Sequence, residues 1–305
     1  MPMLSTGGGD KIVVMAYSNE WTRSSPGLMI FLINQGESMN ELFSNGKTYA
    51  ENAASGVNSM ISETAIRFSS GTAIRDCANI VIIGYGGNEN KMVVELLRSG
   101  SIESLFSDDS IPMQHLIQKV SDGAGGTIDI DVELKQFVSP KAIGECSITS
   151  AFNCASQILA EWVIRINESR DGNINMYPVP VIINFSNANV QITNQTDLLI
   201  RNIMNIELMD GNPLIINCIY DRRPSIMGFP CLSKMVDLSY KEFCNISSFI
   251  PCEILSEMKE NNGFPHVGKE SKFLLLNPDN CTLGRLIWSI LWADDRGTGG
   301  AGIIR

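Results

Sequence analysis

Residues 28–40 read LMIFLINQGESMN, a continuous apolar run of strand length followed by a polar stretch. Beyond it, apolar residues recur at the three- and four-residue spacing of a helix face. They are Ala50, Ala53, Val57, Met60, Ile61 and Ala65. The stretch therefore predicts a buried strand, a polar loop at residues 34–40, and an amphipathic helix.

Three further apolar runs, at residues 80–83, 181–183 and 214–216, each end in a cluster of Gly, Asn or Ser where the chain must turn. Between them, residues 151–166 carry a strong apolar stripe at helical spacing. Buried strands that alternate with helices are typical of α/β proteins with a parallel sheet. We therefore expect a doubly wound, mostly parallel central sheet, Rossmann-like and flanked by helices, with the four runs as central strands.

Two regions depart from this alternation. Residues 127–132 read TIDIDV, whose strict alternation predicts an exposed hairpin strand. We interpret residues 88–140 as an insertion that carries this β-hairpin. The glycine-rich end at residues 296–305 predicts a flexible tail. The resulting organisation is an N-terminal extension at residues 1–20, one domain at 21–295, and the tail.

Composition excludes several classes of protein. A net charge of −10, without a cluster of Lys or Arg, disfavours a nucleic acid partner. The longest apolar runs are too short to span a membrane, and the start of the chain lacks a secretory signal pattern. The eight cysteines form no C-x-x-C pair, which disfavours a zinc site. We expect a soluble cytoplasmic protein with reduced thiols.

At this level of detail the sequence resembles the von Willebrand factor A family, in particular its bacterial cytoplasmic members. Residues 29–40 resemble the first strand and metal loop of that family, residues 80–86 its second strand, and residues 181–188 its fourth. Residues 214–219, 227–230, 249–251 and 273–277 resemble the last third of the bacterial members. The blocks occur in the family's order and cover most of residues 20–295.

The resemblance implies a magnesium site at the carboxyl edge of the sheet, but most of its ligands are replaced. In the D-x-S-x-S motif of the family, Asn34 stands for the aspartate and Gly36 for the first serine, whereas Ser38 matches. Cys146 stands where the family has threonine, or Ser147 does if the alignment shifts by one residue. Asn187 replaces the last aspartate, so two negative charges are lost from a site for a dication.

The function that we predict is therefore a non-catalytic protein–protein interaction module, a scaffold or signalling component, without a cofactor. Its binding surface, here called the rim, consists of the loops at residues 34–40, 145–150 and 186–190. The resemblance implies a protein partner, such as a kinase or phosphatase encoded nearby in a stress or defence cluster. The rim residues in question are Asn34, Gln35, Gly36, Glu37, Ser38, Glu145, Cys146, Ser147, Asn187 and Asn189.

Two alternatives remain open. The first is a metal-dependent binding or sensor domain in which Glu37 or Glu145 supplies a carboxylate to Mg²⁺. The second is a small hydrolase in which Ser38 or a cysteine is activated by His115 or His266. The sequence contains no G-x-S-x-G turn and no complete phosphate-binding glycine loop, so we find no catalytic constellation.

Overall fold

The structure is a computed structural model that describes residues 17–87, 93–121, 127–168, 177–223, 227–231 and 238–291. The strands are β1 (Gly27–Gln35), β2 (Ser69–Ser70), β3 (Ala73–Ile74), β4 (Ala78–Gly86), β5 (Val94–Ser101), β6 (Met113–Ser121), β7 (Thr127–Lys135), β8 (Val181–Asn187), β9 (Leu214–Tyr220), β10 (Met227–Gly228) and β11 (Leu274–Leu276). The helices are α1 (Tyr49–Arg67), α2 (Ile102–Ser107), α3 (Ile148–Glu168), α4 (Asn194–Met204), α5 (Leu238–Asn245), α6 (Cys252–Glu260) and α7 (Asn280–Ile290), with a 3₁₀ helix at Glu37–Asn40.

The central sheet has the strand order β10-β11-β9-β8-β1-β4-β5. The five inner strands run parallel, while β5 and β10 pair antiparallel at the two edges. The predicted doubly wound, mostly parallel sheet is thus confirmed, and the four predicted strands are its central strands β4, β1, β8 and β9. In chain order, β4 and β5 lie on one side of β1, whereas the later strand β8 pairs with β1 on its other side. The order therefore reverses between β1 and β8, where doubly wound folds open a crevice at the carboxyl ends of the strands.

Helices cover both faces of the sheet. On one face α1, α6 and α7 pack against Met29, Phe31 and the residues in step with them on neighbouring strands. On the other face α3, α4 and α5 pack against Leu28, Ile30 and Leu32. Successive side chains of a strand point to opposite faces of the sheet, and helices cover both faces. Every residue of an inner strand is therefore buried, which explains why its apolar run is continuous.

The helices α1 and α3 each begin at a residue whose side chain caps the helix. Thr48 and Glu51 form a complete capping box at the start of α1, with Thr48 Oγ1 accepting from the Glu51 amide at 3.1 Å. Ser147 Oγ accepts from the amide of Ser150 at 3.2 Å at the start of α3. Both helices therefore start beside the carboxyl edge of the sheet, at fixed positions relative to the rim.

Residues 94–101 lie within the range 88–140 that we predicted as an insertion, yet they form the edge strand β5 of the central sheet. The side chains of β5 are partly buried or exposed, so this strand lacks the continuous apolar run of strands that are buried on both faces. The predicted hairpin is present: β6 and β7 pair antiparallel as a separate two-stranded sheet. The part of the range that stands apart from the main sheet is therefore this hairpin.

The two ends of the chain are described in part. Within the predicted extension 1–20, the backbone amides of Ser18 and Asn19 donate to Asp210 Oδ1 at 2.8 Å and 3.1 Å, which fastens this segment to the loop before β9. The predicted tail at residues 296–305 lies outside the described residues. No helix in the described part of the chain is long and apolar enough to cross a membrane.

Candidate functional site

The rim lies at the carboxyl edge of the sheet, where the strand order reverses. Strand β1 ends at Gln35 and β8 ends at Asn187, two strands that are direct neighbours. The segment before α3 is fastened to the end of β1 by two backbone hydrogen bonds: the amide of Ile143 donates to Gln35 O at 2.8 Å, and the amide of Glu37 donates to Gly144 O at 2.7 Å. The structure thus brings the three predicted loops together.

Asn34 is fully buried and both ends of its amide are engaged. Its Oδ1 accepts from the amide of Gly36 at 2.8 Å, and its Nδ2 donates to Ser186 Oγ at 3.1 Å. The first bond fixes the turn after β1, and the second joins β1 to β8. The Asn34 side chain therefore holds the backbone turn after β1 and a neighbouring strand.

Gly36 and Cys146 occupy the same small space. A Cβ on Gly36 would lie 2.9 Å from Cys146 Cβ and 3.1 Å from its Sγ, so a serine at position 36 collides with the cysteine. Burial raises the pKa of the Cys146 thiol, and the negative charge of Glu145 adds to this, while a hydrogen bond with Asn34 opposes it. The thiol is protonated at neutral pH, which disfavours Cys146 as a nucleophile.

Asn34 begins a chain of buried side-chain hydrogen bonds that crosses the sheet on the face covered by α3 and α5. Ser186 hydrogen-bonds the Tyr85 hydroxyl, which donates to Asn184 Oδ1 at 2.8 Å. Asn184 Nδ2 then donates to Asn217 Oδ1 at 2.9 Å. Asn217 Nδ2 donates to Ser247 Oγ at 2.9 Å, and that hydroxyl donates to Phe243 O at 2.8 Å. The members of this polar chain are Asn34, Ser186, Tyr85, Asn184, Asn217 and Ser247.

The other predicted residues of the first and third loops differ in exposure. Gln35 is buried, and its Oε1 has no hydrogen-bond partner among the described residues. Glu37 and Glu145 are exposed, and Ser38 and Ser147 are partly buried. Ser147 lies on the rim and also caps the N-terminus of α3. The rim therefore presents carboxylates to solvent around a buried amide.

Asn187 and Asn189 connect the rim with the residues that follow β9. Asn187 is fully buried, and its Oδ1 accepts from the amide of Asn189 at 3.2 Å. Asn189 is exposed, and its Nδ2 donates to Glu41 Oε1 at 3.1 Å. Glu41 Oε2 accepts from Arg222 Nε at 3.1 Å. The loops after β1, β8 and β9 are thus linked by side chains at one edge.

These contacts bear on the two alternatives. Among the described residues, no three His, Cys, Asp or Glu side chains are placed to share a metal ion. His115 lies on the hairpin, 3.4 Å from Asp131 and 3.6 Å from Glu133, and His266 is exposed in the loop that follows α6. Neither histidine hydrogen-bonds Ser38 within the described part of the chain. The arrangement can donate and accept hydrogen bonds at a surface.

Some residues of this edge were missed by sequence analysis. Glu41 and Arg222 link the loops, and Leu42 and Ile143 expose 65% and 40% of their surface beside them. The position of the residues after β9 could have been predicted from the sequence, because the carboxyl ends of all parallel strands lie at this edge of the sheet. The exposed Leu42 and Ile143 carry no signal in the sequence, since exposure depends on the folded loop.

The chain was compared with known proteins. No protein-family model matches the sequence, and no curated protein is significantly similar to it. Among solved structures, the crystal structure of manganese-loaded Plasmodium vivax TRAP protein is 12% identical, with a TM-score of 0.33, over 63% of this chain and 57% of that chain. A von Willebrand factor type A from Catenulispora acidiphila is 10% identical, with a TM-score of 0.29, over 65% of this chain and 34% of that chain.

This chain therefore spans less than two thirds of either similar structure. At such TM-scores the likeness carries no argument about the site, so the function has to be argued from the contacts of the rim itself.

Proposed function

We propose that this chain is a non-catalytic interaction module of the von Willebrand factor A type that binds another protein through its rim. The observation that carries the proposal is the pair of exposed apolar side chains, Leu42 and Ile143, on the loops that flank the rim. The Asn40 side chain joins these loops by donating to Ala142 O at 2.9 Å. Apolar anchors surrounded by polar groups are the composition of a protein interface.

The polar groups of the rim supply the remainder of such an interface. Glu37, Glu145 and Asn189 are exposed on the rim, and Arg222 adds a cation that pairs with Glu41, the neighbour of Leu42 in the sequence. Polar groups at the edge of an interface contribute specificity more than affinity. A partner with a complementary apolar groove and a mixed polar border would match this surface.

The proposed binding does not use a metal ion. The residues in the two former aspartate positions, Asn34 and Asn187, are neutral, and the Oδ1 of each accepts a backbone amide. A divalent ion needs hard, preferably charged oxygen ligands to replace its hydration shell. Neutral amides whose oxygens are already engaged are poor substitutes, which supports a metal-free interface.

We further propose that the module works in the cytoplasm, as a scaffold or signalling component, with a kinase-like or phosphatase-like protein as its partner. The partner class comes from the sequence resemblance. The compartment is supported by the cysteines, since Cys77, Cys218 and Cys244 lie buried in the core without a disulfide.

The experiment that tests this function is a capture assay with matched variants. The parent protein captures its partner from a lysate of its host, and mass spectrometry identifies the partner, which is then purified for calorimetry. Leu42→Asp should weaken binding about 10- to 100-fold, because burial of a leucine contributes about 1.5–3 kcal/mol. The control is Leu198→Asp on α4, whose side chain is 62% exposed. Equal affinities of the two variants would overturn the proposal.

A second candidate, the metal-dependent module, is favoured by one contact. The hydrogen bond between the amide of Glu37 and Gly144 O brings two exposed carboxylates, Glu37 and Glu145, onto adjoining segments. The same calorimetry with EDTA or with Mg²⁺ separates the candidates: a metal-free interface has the same affinity in both buffers. Loss of affinity in EDTA, together with loss in Glu37→Gln or Glu145→Gln, would establish the second candidate.

A further inference from the structure

The strand β5 forms one end of the central sheet. It pairs with β4 on one side, and among the described residues no strand pairs with it on the other. The backbone N–H and C=O groups on that side are a template for a further strand. Many proteins block such an edge with proline or lysine, but β5 has eight residues and contains neither. Within the described part of the chain, the edge of β5 is therefore open to pairing with another strand.

The middle of β5 is self-complementary in charge. Residues 95–98 read ELLR, with an acidic residue at one end, a basic residue at the other and two leucines between them. When two copies of this segment run antiparallel with their centres aligned, Glu95 of each copy lies opposite Arg98 of the other. A parallel, in-register pair would instead place like charges side by side. Opposite charges at directly opposed positions stabilise a pair of strands, and like charges destabilise it, so the antiparallel pair is favoured.

A β-bulge in β5 brings the two charged side chains to the same face of the sheet. In a regular strand, residues 95 and 98 point to opposite faces. Here Glu95 pairs with Gly84 and Arg98 pairs with Ile82, two positions of β4 that share a face, because the register shifts by one residue between them. A bulge can protect an edge from pairing. In this case both copies carry it between the same two charged residues, so the opposed charges stay in register.

The exposure of these side chains fits a contact with a second copy. Glu95 is exposed, and Leu96 exposes 54% of its surface. Leu96 pairs with Ile83, so it lies on the opposite face of the sheet from the two charged residues. Arg98 is half-buried, and its Nε donates to Phe137 O at 2.9 Å, which holds the side chain in place. The guanidinium carries four more N–H donors, with which it can bind a carboxylate.

We propose that two copies of this chain associate through β5, as an antiparallel pair of strands related by a two-fold axis. The two central sheets become one continuous sheet, joined by backbone hydrogen bonds between the two β5 strands. Two ion pairs between Glu95 and Arg98 form on one face, and the two copies of Leu96 lie beside each other on the other face. Two-fold dimers are the commonest assemblies of identical chains, and each copy contributes the same surface to the interface.

This dimer leaves the rim accessible. The rim lies at the ends of β1 and β8, and β4 separates these strands from β5. The dimer therefore presents two rims, and a partner with two binding sites would bind it more tightly than it binds a single copy. The association of two copies requires no other protein, so it is independent of the proposed function.

The test is sedimentation velocity of the purified full chain between about 1 and 200 µM, the range of a small interface. We expect a reversible equilibrium between one and two copies. Glu95→Arg replaces two attractive contacts of the symmetric dimer by two repulsive ones, so the dissociation constant should rise about 10-fold or more. Leu96→Lys places a charge on the edge and should have a similar effect. The matched control is Leu198→Lys on α4, where the side chain is 62% exposed, and it should associate as the parent does.

A mixture of two charge variants tests the register of the strands. Glu95→Arg and Arg98→Glu each oppose like charges in a dimer of their own kind, so each alone should associate weakly. In a mixed dimer the new arginine lies opposite the new glutamate, and the original Arg98 lies opposite the original Glu95. The mixture should therefore form dimers about as tightly as the parent. Circular dichroism of each variant checks that it is folded.

The proposal is overturned if the parent sediments as a single copy throughout this concentration range. It is also overturned if Glu95→Arg or Leu96→Lys associates as tightly as the parent, since the copies would then meet at another surface. A folded pair of charge variants that stays monomeric when mixed would contradict the antiparallel register. If Arg98→Glu does not fold, the comparison of Glu95→Arg and Leu96→Lys with Leu198→Lys still decides the question.

Discussion

Replacing Asn34 by aspartate tests the buried amide more directly than any other single change. The variant keeps the oxygen that accepts from the amide of Gly36 and replaces the nitrogen that donates to Ser186 Oγ. In its ionised form it also places a negative charge at a fully buried position. Burial then raises the pKa of the new carboxyl above its unfolded value of about 3.9.

The magnitude of the effect follows from this raised pKa. The protonated carboxyl can donate to Ser186 Oγ much as the amide does, so near pH 4 the variant should be almost as stable as the parent. As the pH rises, the folded state must either ionise a buried group or retain a proton that the unfolded chain releases. The cost at pH 7 is limited to about 1.36 kcal/mol for each of roughly three pH units, or about 4 kcal/mol. We expect a loss of about 2–4 kcal/mol at pH 7.

The assay is urea unfolding of parent and variant at several values between about pH 5 and pH 8. Asn153→Asp is the matched control, because it makes the same chemical change at an exposed position on α3. The difference between the two variants should grow by about 2 kcal/mol between pH 5 and pH 7. A difference that stays constant with pH, or that remains below about 1 kcal/mol, would refute the assignment of Asn34 to a dry hydrogen-bonded position.

Three other predictions follow from the same structure. A double-mutant cycle of Tyr85→Phe and Asn184→Ala should show a coupling of about 1–2 kcal/mol in urea unfolding, and additive losses would contradict their hydrogen bond. Burial raises the pKa of the Asp210 carboxyl above its unfolded value, so its ionisation costs stability as the pH rises. The free energy of unfolding of Asp210→Asn should therefore rise relative to that of the parent between about pH 4 and pH 8. A difference between the two proteins that does not change with pH would show that Asp210 is not desolvated. Thiol titration of unreduced protein should find all eight cysteines, with the exposed Cys252 reacting at once and the buried Cys218 only after unfolding; a lower total would indicate disulfides.

The inner strands were predictable because each is a continuous apolar run. A strand that is buried on both faces has no polar alternation, and β1, β4, β8 and β9 satisfy this directly. The edge strand β5 lay within the predicted insertion, and its sequence, VELLRSGS, carries no regular apolar pattern, in keeping with the mixed burial of its residues. Hydrophobic pattern alone therefore finds the centre of such a sheet more reliably than its edges.

The position of the rim could be predicted from the sequence, but only some of the residues at this edge could be. The ends of β1 and β8 had to meet once the sheet was doubly wound, so the rim residues on those two loops were expected to lie together. The stacking of the Tyr49 and Tyr220 rings was missed, because no local pattern in the sequence records it. The polar chain did leave a trace, since Asn184 and Asn217 each interrupt an apolar run after two isoleucines and turn out to be register partners.

The direction of the polar chain explains why an amide, rather than a carboxylate, suits position 34. The chain ends at the backbone oxygen of Phe243, which can only accept, so each bond before it is donated toward that end. The first member must therefore donate to Ser186, which Asn34 Nδ2 does. An ionised aspartate would turn the Ser186 hydroxyl toward itself and leave the Tyr85 oxygen without a donor. The amide at position 34 is thus one end of a hydrogen-bonded structure that joins the strands beneath the rim. Restoring the charge would weaken that structure unless a bound cation offset the cost.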